Sequence, residues 1–90
     1  MMGNKTLVVI PARNEQEQIG KVIKSIRGTG APIDLLVVDD CSEDATASRS
    51  RQSGARVVSL STHMGYGVAL QTGYKYAFEN GYDYLVQLDG

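Results

Sequence analysis

The chain has 90 residues, 42% of them hydrophobic and 21% charged, and a formal net charge of −1. That balance is ordinary for a globular domain and leaves no basic footprint for nucleic acid, and no apolar run approaches the ~20 residues of a membrane span. The lone cysteine, Cys41, excludes an intrachain disulfide framework and fits a reducing compartment, so the expectation is one small soluble domain, 1–90, cytoplasmic or held at the cytoplasmic membrane face within a longer protein.

Thr6 to Ile10 is β-branched and apolar and reads as the first strand, closed by Pro11, which cannot donate to a ladder. Asn14 can cap the helix that follows, with Glu17 completing a capping-box-like pair. Ile19, Val22, Ile23 and Ile26 recur at the spacing of an amphipathic stripe. Lys24 and Arg27 suit the helix C-terminus, and Gly28 can take a left-handed stop before a loop to Pro32.

Ile33 to Asp39 is the second strand. Its run Leu35-Leu36-Val37-Val38 has no alternation, as in a strand buried on both faces. Ser42 can cap the second helix, with Glu43 and Asp44 favourable in its first turn. That helix is short and polar (Ala45, Ala47, Ser48, Gln52) and ends near Gly54. Arg56 to Leu60 is the third strand, and Ser61 to Gly67 a glycine-containing turn. The third helix runs from about Tyr66 to Asn80, with Ala69, Thr72, Gly73, Tyr76 and Ala77 on one face, and Gly81 stops it. Tyr84 to Leu88 is the fourth strand, followed by Asp89-Gly90.

This βαβαβαβ alternation requires parallel strands, right-handed crossovers and helices on both faces. The predicted fold is α/β, a three-layer Rossmann-like parallel sheet with strand order 3-2-1-4. Four strands and a thin second helix are few for such a sheet, so the chain reads as the first half of a larger fold.

Ligands of open parallel sheets bind outside the carboxyl ends of the strands, at a switch point. Those ends carry Pro11-Ala12-Arg13-Asn14-Glu15, Asp39-Asp40-Cys41-Ser42, Ser61-Thr62-His63-Met64-Gly65 and Asp89-Gly90. Order 3-2-1-4 places Pro11 to Glu15 and Asp89 across one crevice, with Asp39 alongside.

Taken in order, Pro-Ala-x-Asn-Glu at 11–15, Val37-Val38-Asp39-Asp40-Cys41-Ser42-Glu43-Asp44, Gly65-Tyr66-Gly67-Val68-Ala69 and Leu88-Asp89-Gly90 resemble the four motifs of the nucleotide-sugar-binding half of family 2 glycosyltransferases, which have the GT-A fold. The flavour is that of polyprenyl-phosphate sugar synthases such as dolichyl-phosphate mannosyltransferase. Two departures stand out. His63 occupies a position where the family usually has Asn, and the chain ends before the second Asp of the metal motif.

The resemblance implies a UDP- or GDP-linked sugar donor, a Mg²⁺ or Mn²⁺ ion, and inverting transfer to an acceptor such as a polyprenyl phosphate or a saccharide. In that frame Pro11, Ala12, Arg13, Asn14, Glu15, Asp39, Asp40, Gly67 and Asp89 bind the nucleotide sugar, and Asp89 also reaches the metal. No catalytic residue is expected within these 90.

Each residue has a plainer reading beside that one. Asp39 and Asp40 can be a solvated strand end, Asn14 and Ser42 caps, Arg13 a surface charge, Cys41 a small buried residue, His63 a turn histidine and Asp89 a strand end. Gly65-x-Gly67 is not a dinucleotide fingerprint, since it follows the third strand and lacks the third glycine. The rival to an enzyme is a non-catalytic module that binds a nucleotide or a protein, with an exposed sheet edge that favours a homo-oligomer.

Overall fold

The computed structural model describes residues 5–88. The elements run β1 (Thr6–Ala12), α1 (Ile19–Arg27), β2 (Ile33–Asp39), α2 (Thr46–Gln52), β3 (Arg56–Ser59), α3 (Tyr66–Glu79) and β4 (Tyr84–Gln87). The sheet has the order β3-β2-β1-β4, with every pairing parallel. β1 and β2 are its inner strands and are buried on both faces, which is why neither alternates in sequence.

The pleat divides these strands between two cores. Val8, Ile10, Leu35 and Val37 face α1, where Ile19 and Ile23 complete one cluster. Leu7, Val9, Leu36 and Val38 face the other way and meet Ala69 and Ala77 of α3. The result is three layers, with α1 and α2 on one side and α3 alone on the other. Helix α3 lies close to the sheet because its inner face is small. A Cβ at Gly73 would sit 2.6 Å from Cγ1 of Val9 and 3.0 Å from Cγ2.

Several local signals resolve differently in the fold. Pro11 does not close β1, which continues to Ala12. Successive residues of an inner parallel strand address alternate neighbours. Val9 takes the Leu88 N–H from the β4 side, and Ala12 takes the Asp40 N–H from the β2 side. Pro11 therefore turns its donor-less nitrogen toward β4, where pairing has already ended at Val9↔Gln87.

Asn14 and Glu17 do not cap α1, whose cap position is Gln18 without a side-chain bond. Ser42 does not cap α2, whose cap position is Ala45, and no acidic residue stands in its first turn. Gly28 stays right-handed at φ −64°, and the left-handed turn falls two residues later on Gly30. Elements β3, α3 and β4 each end one residue before the position read from sequence.

At the amino ends of the strands a second polar group ties the edges together. The Tyr82 hydroxyl donates to Asp34 and accepts from Arg56 at 2.6 Å, while Arg56 also reaches the Tyr76 hydroxyl at 3.3 Å. The Lys5 ammonium lies 4.5 Å from the centre of the Tyr82 ring.

Burial, then the Asp34 acceptor, pushes the Tyr82 phenol up to about 12. The folded chain holds this proton more tightly than the unfolded chain does, so the contribution is whole below the ordinary value of 10.0 and is lost as pH rises through about 12. The urea midpoint should fall over that window, and fall less in Tyr82→Phe; identical alkaline limbs would remove Tyr82 from the account. For the close helix, Gly73→Ala sets overpacking of roughly 1–3 kcal/mol against a helix-propensity gain of about 1 kcal/mol. A lowered urea midpoint is expected, and an unchanged or raised one would contradict the Val9 contact.

Candidate functional site

The carboxyl ends of β1 and β2 lead into two loops whose backbone donors cannot be met by sheet or helix. The loops satisfy one another. Asn14 N–H donates to Ser42 Oγ at 2.9 Å, and Glu43 N–H returns to Asn14 Oδ1 at 2.8 Å. Glu15 N–H reaches Thr46 Oγ1 at 2.8 Å, and Gln16 N–H reaches Asp44 Oδ2 at 3.2 Å. Ala45 N–H donates to Gln16 Oε1 at 3.0 Å. Thr46 is fully buried, and its hydroxyl also donates to Asp44 Oδ1. The Thr46 hydroxyl bond, set against some burial, holds the Asp44 carboxyl below the usual range.

Asn14 and Cys41, at φ 53° and 58°, take the left-handed turns that bring the loops together. This lacing explains the displaced caps. The amides of Asn14, Glu15 and Gln16, in the loop that leads into α1, are met by side chains about thirty residues away, while Gln18 and Ile19 N–H donate to the Glu15 carbonyl.

Adjacent carboxylates on a strand point to opposite faces. Asp39 follows Leu35 and Val37 toward the α1 and α2 side, where Oδ1 accepts the Ser42 N–H at 3.1 Å and Oδ2 the Ser59 hydroxyl at 3.2 Å. Asp40 follows Leu36 and Val38 toward α3. It accepts the N–H groups of Met64 at 2.8 Å and Gly65 at 2.9 Å, and lies 2.7 Å from His63 Nδ1. Both carboxylates are buried, at 4% and 5% exposure. Burial pushes the Asp40 carboxyl up, but the Met64 and Gly65 amides and His63 outweigh it and hold it below the usual range.

Above the end of β1, on the α3 side, lies a cavity of about 540 Å³ lined by Pro11, Ala12, Arg13, Glu15, Asp40, His63, Tyr66 and Ala69. Ligand pockets commonly fall in this size range. Five residues expected at the site therefore converge: Pro11, Ala12, Arg13, Glu15 and Asp40. Asn14 and Asp39 are spent on the loops behind the cavity. Gly67 is not part of the lining, and a Cβ there would meet nothing within 4 Å, so internal packing does not demand glycine.

Asp89 lies outside the described residues. His63 and Tyr66 join the site without having been singled out for it. The departure of His63 from the family motif was the available signal, and Tyr66 sits inside the Gly65-x-Gly67 pattern. Tyr66 is held in place by the Gln87 amide, which donates to its hydroxyl at 3.1 Å. Among the described residues no group of three or more His, Cys, Asp or Glu side chains is placed to hold a metal ion. Those residues do not make up the expected Mg²⁺ or Mn²⁺ site.

Because the folded Asp40 carboxyl titrates below its ordinary value of 3.8, its contribution is present above that pH and is lost as pH falls through the lower folded value. Asp40→Asn turns an amide against amide donors and should cost roughly 1–3 kcal/mol at neutral pH. It should also flatten the acid limb of the stability curve, and a variant as acid-sensitive as the parent would contradict the assignment.

A Glycosyl transferase family 2 model matches residues 7–90. A 4,4'-diaponeurosporenoate glycosyltransferase of Staphylococcus aureus is 43% identical over 53 residues, which are 59% of this chain and 14% of that protein. Glucosyl-3-phosphoglycerate synthase from Mycobacterium tuberculosis, solved in complex with Mn²⁺, UDP-glucose and phosphoglyceric acid, superposes with a TM-score of 0.77 at 35% identity. The superposition covers 97% of this chain and 33% of the synthase. The same synthase with Mg²⁺ and UDP gives the same score, identity and coverage. The chain thus spans about a third of that solved structure and a smaller part of the curated relative. The three-layer sheet in the order β3-β2-β1-β4 is that of these GT-A neighbours, and the chain belongs to glycosyltransferase family 2.

Proposed function

We propose that these residues form the nucleotide-binding part of a glycosyltransferase that takes its sugar from a nucleoside diphosphate donor, UDP-linked in preference to GDP-linked. The observation that carries the reading is the cavity at the strand ends, where Pro11 and Ala12 supply an apolar wall beside Asp40, Glu15 and Arg13. A carboxylate offers about four lone-pair positions. Asp40 has used three, on Met64, Gly65 and His63, and one remains for a nucleobase N–H or a ribose hydroxyl. Asp39, expected beside Asp40 at the nucleotide, instead accepts the Ser42 N–H and the Ser59 hydroxyl behind the cavity.

Arg13 is exposed on the cavity rim, and its guanidinium has no partner among the described residues. It is suited to a diphosphate, for which a planar guanidinium is a good donor. Gly67 leaves the start of α3 open to approach by a ligand.

The similar synthase supports the choice of UDP and of Mg²⁺ or Mn²⁺ as the accompanying ion. Asp89 is the residue of this chain that would reach that ion. The acceptor is a molecule such as a polyprenyl phosphate or a saccharide; the similar synthase was solved with phosphoglyceric acid beside its UDP-glucose. Transfer is by inversion, and the isolated chain binds donor weakly without turning it over.

Titration of the 90-residue chain with UDP and with GDP in Mn²⁺ tests the reading. Arg13→Ala removes an unpartnered surface side chain, so stability should stay within ~0.5 kcal/mol while UDP affinity falls about ten-fold or more, the worth of a charge-assisted contact. Unchanged affinity, or a preference for GDP, would overturn this assignment.

A further inference from the structure

The near-neutral net charge conceals a segregation. Helices α1 and α2 form one layer and hold Lys21, Lys24, Arg27, Arg49 and Arg51 with no acidic residue. The rest of the chain carries four basic and ten acidic residues. All five basic side chains are exposed. Lys21, Lys24 and Arg27 follow one another at three-residue intervals down the whole of α1, which keeps them on one flank. A groove between the helices runs past Lys21, Lys24, Arg49, Gln52 and Ser53, with Glu17 as its one acidic residue.

Only part of this charge is committed. Arg27 donates to the Gly54 carbonyl at 2.6 Å, and Arg49 donates to the Gln16 carbonyl at 3.0 Å with Glu17 at 3.8 Å. Lys21, Lys24 and Arg51 have no partner among the described residues. Charge of one sign gathered on one layer of a chain that is acidic elsewhere makes an electrostatic footprint.

We propose that the α1–α2 face is a docking surface for an anionic lipid bilayer. Four to eight basic side chains on one helical surface are what an anionic leaflet attracts. The charges are spread along a helix rather than converging on a point, which matches an extended negative surface better than a single soluble phosphate. Neither α1 nor α2 carries an aromatic side chain on which a base could stack.

Attachment rests on charge, since the two helices offer the bilayer basic rather than large apolar side chains. Among the described residues, α1 and α2 expose no large apolar side chain; Met64, Tyr66, Tyr74 and Phe78 belong to α3 and the turn before it, and Tyr84 and Val86 to the edge strand β4, in register with Thr6 and Val8. Seated on this flank, the chain turns its α3 side, with the cavity, away from the bilayer and leaves it open. The inference does not depend on what the cavity binds.

The test is sedimentation of the 90-residue chain with vesicles of phosphatidylcholine alone and of phosphatidylcholine mixed with phosphatidylglycerol. The mixed vesicles should bind it, and pure phosphatidylcholine should not. Raising salt from ~0.05 M to ~0.5 M shortens the screening length and should release it. Each basic side chain removed should lower partitioning roughly five-fold, so Lys21→Gln/Lys24→Gln/Arg51→Gln should abolish measurable binding. Lys75→Gln, on α3, should leave it unchanged, and circular dichroism should report the same fold in both variants. Binding that ignores lipid charge or salt, binding that survives the triple substitution, or tighter retention on a single-stranded polynucleotide at equal salt would each overturn the proposal.

Discussion

The structure depends on two loops completing each other's hydrogen bonds. A strand that leaves a parallel sheet for a helix exposes amides with no ladder and no turn to receive them, and burial makes each one expensive. Here Thr46, Ser42, Asp44, Asn14 and Gln16 meet those donors across a separation of about thirty residues. The fully buried Thr46 hydroxyl is the hub, accepting from Glu15 N–H while donating to Asp44. Without this lacing, Arg13 to Glu15 would have no fixed path beyond the end of β1, and the cavity no wall on that side.

The second determinant is the parity of the inner strands. Two buried faces and a two-residue repeat send Asp39 and Asp40 in opposite directions. One fastens β2 to β3 through Ser59, and the other gathers the start of α3 through two amides and His63. The small inner face of α3, with Gly73 against Val9, sets how near that helix start can come. Packing in the middle of the sheet therefore decides which carboxylate borders the cavity and how wide the cavity is.

Strand order, helix placement and the rim were legible in the sequence because they follow from long-range patterns: apolar runs, a helical stripe, and the topology rules of parallel sheets. The local signals misled where tertiary partners were available. Asn14 before Glu17 and Ser42 before Glu43 and Asp44 look like caps, yet Asn14, Ser42 and one oxygen of Asp44 serve the opposite loop, and no short window of sequence contains both halves of that exchange. Pro11 looks like a terminator only if both of its neighbours are paired, and β4 has ended beside it. The roles of Asp39 and Asp40 could have been assigned from parity once α3 was placed on the face away from α1, because Asp40 shares its register with Leu36 and Val38. The charge asymmetry of α1 and α2 was visible in the sequence but was averaged away in the net charge.

The placement of the nucleotide at the carboxyl ends of the strands can be read residue by residue. Amide chemical-shift mapping of the 90-residue chain during titration with UDP should move Ala12, Arg13, Met64, Gly65 and Tyr66 together, and leave Asp34, Arg56 and Tyr82 at the far end of the sheet unmoved. Shifts centred on Asp34, Arg56 and Tyr82, or spread evenly over both ends, would contradict the site described here.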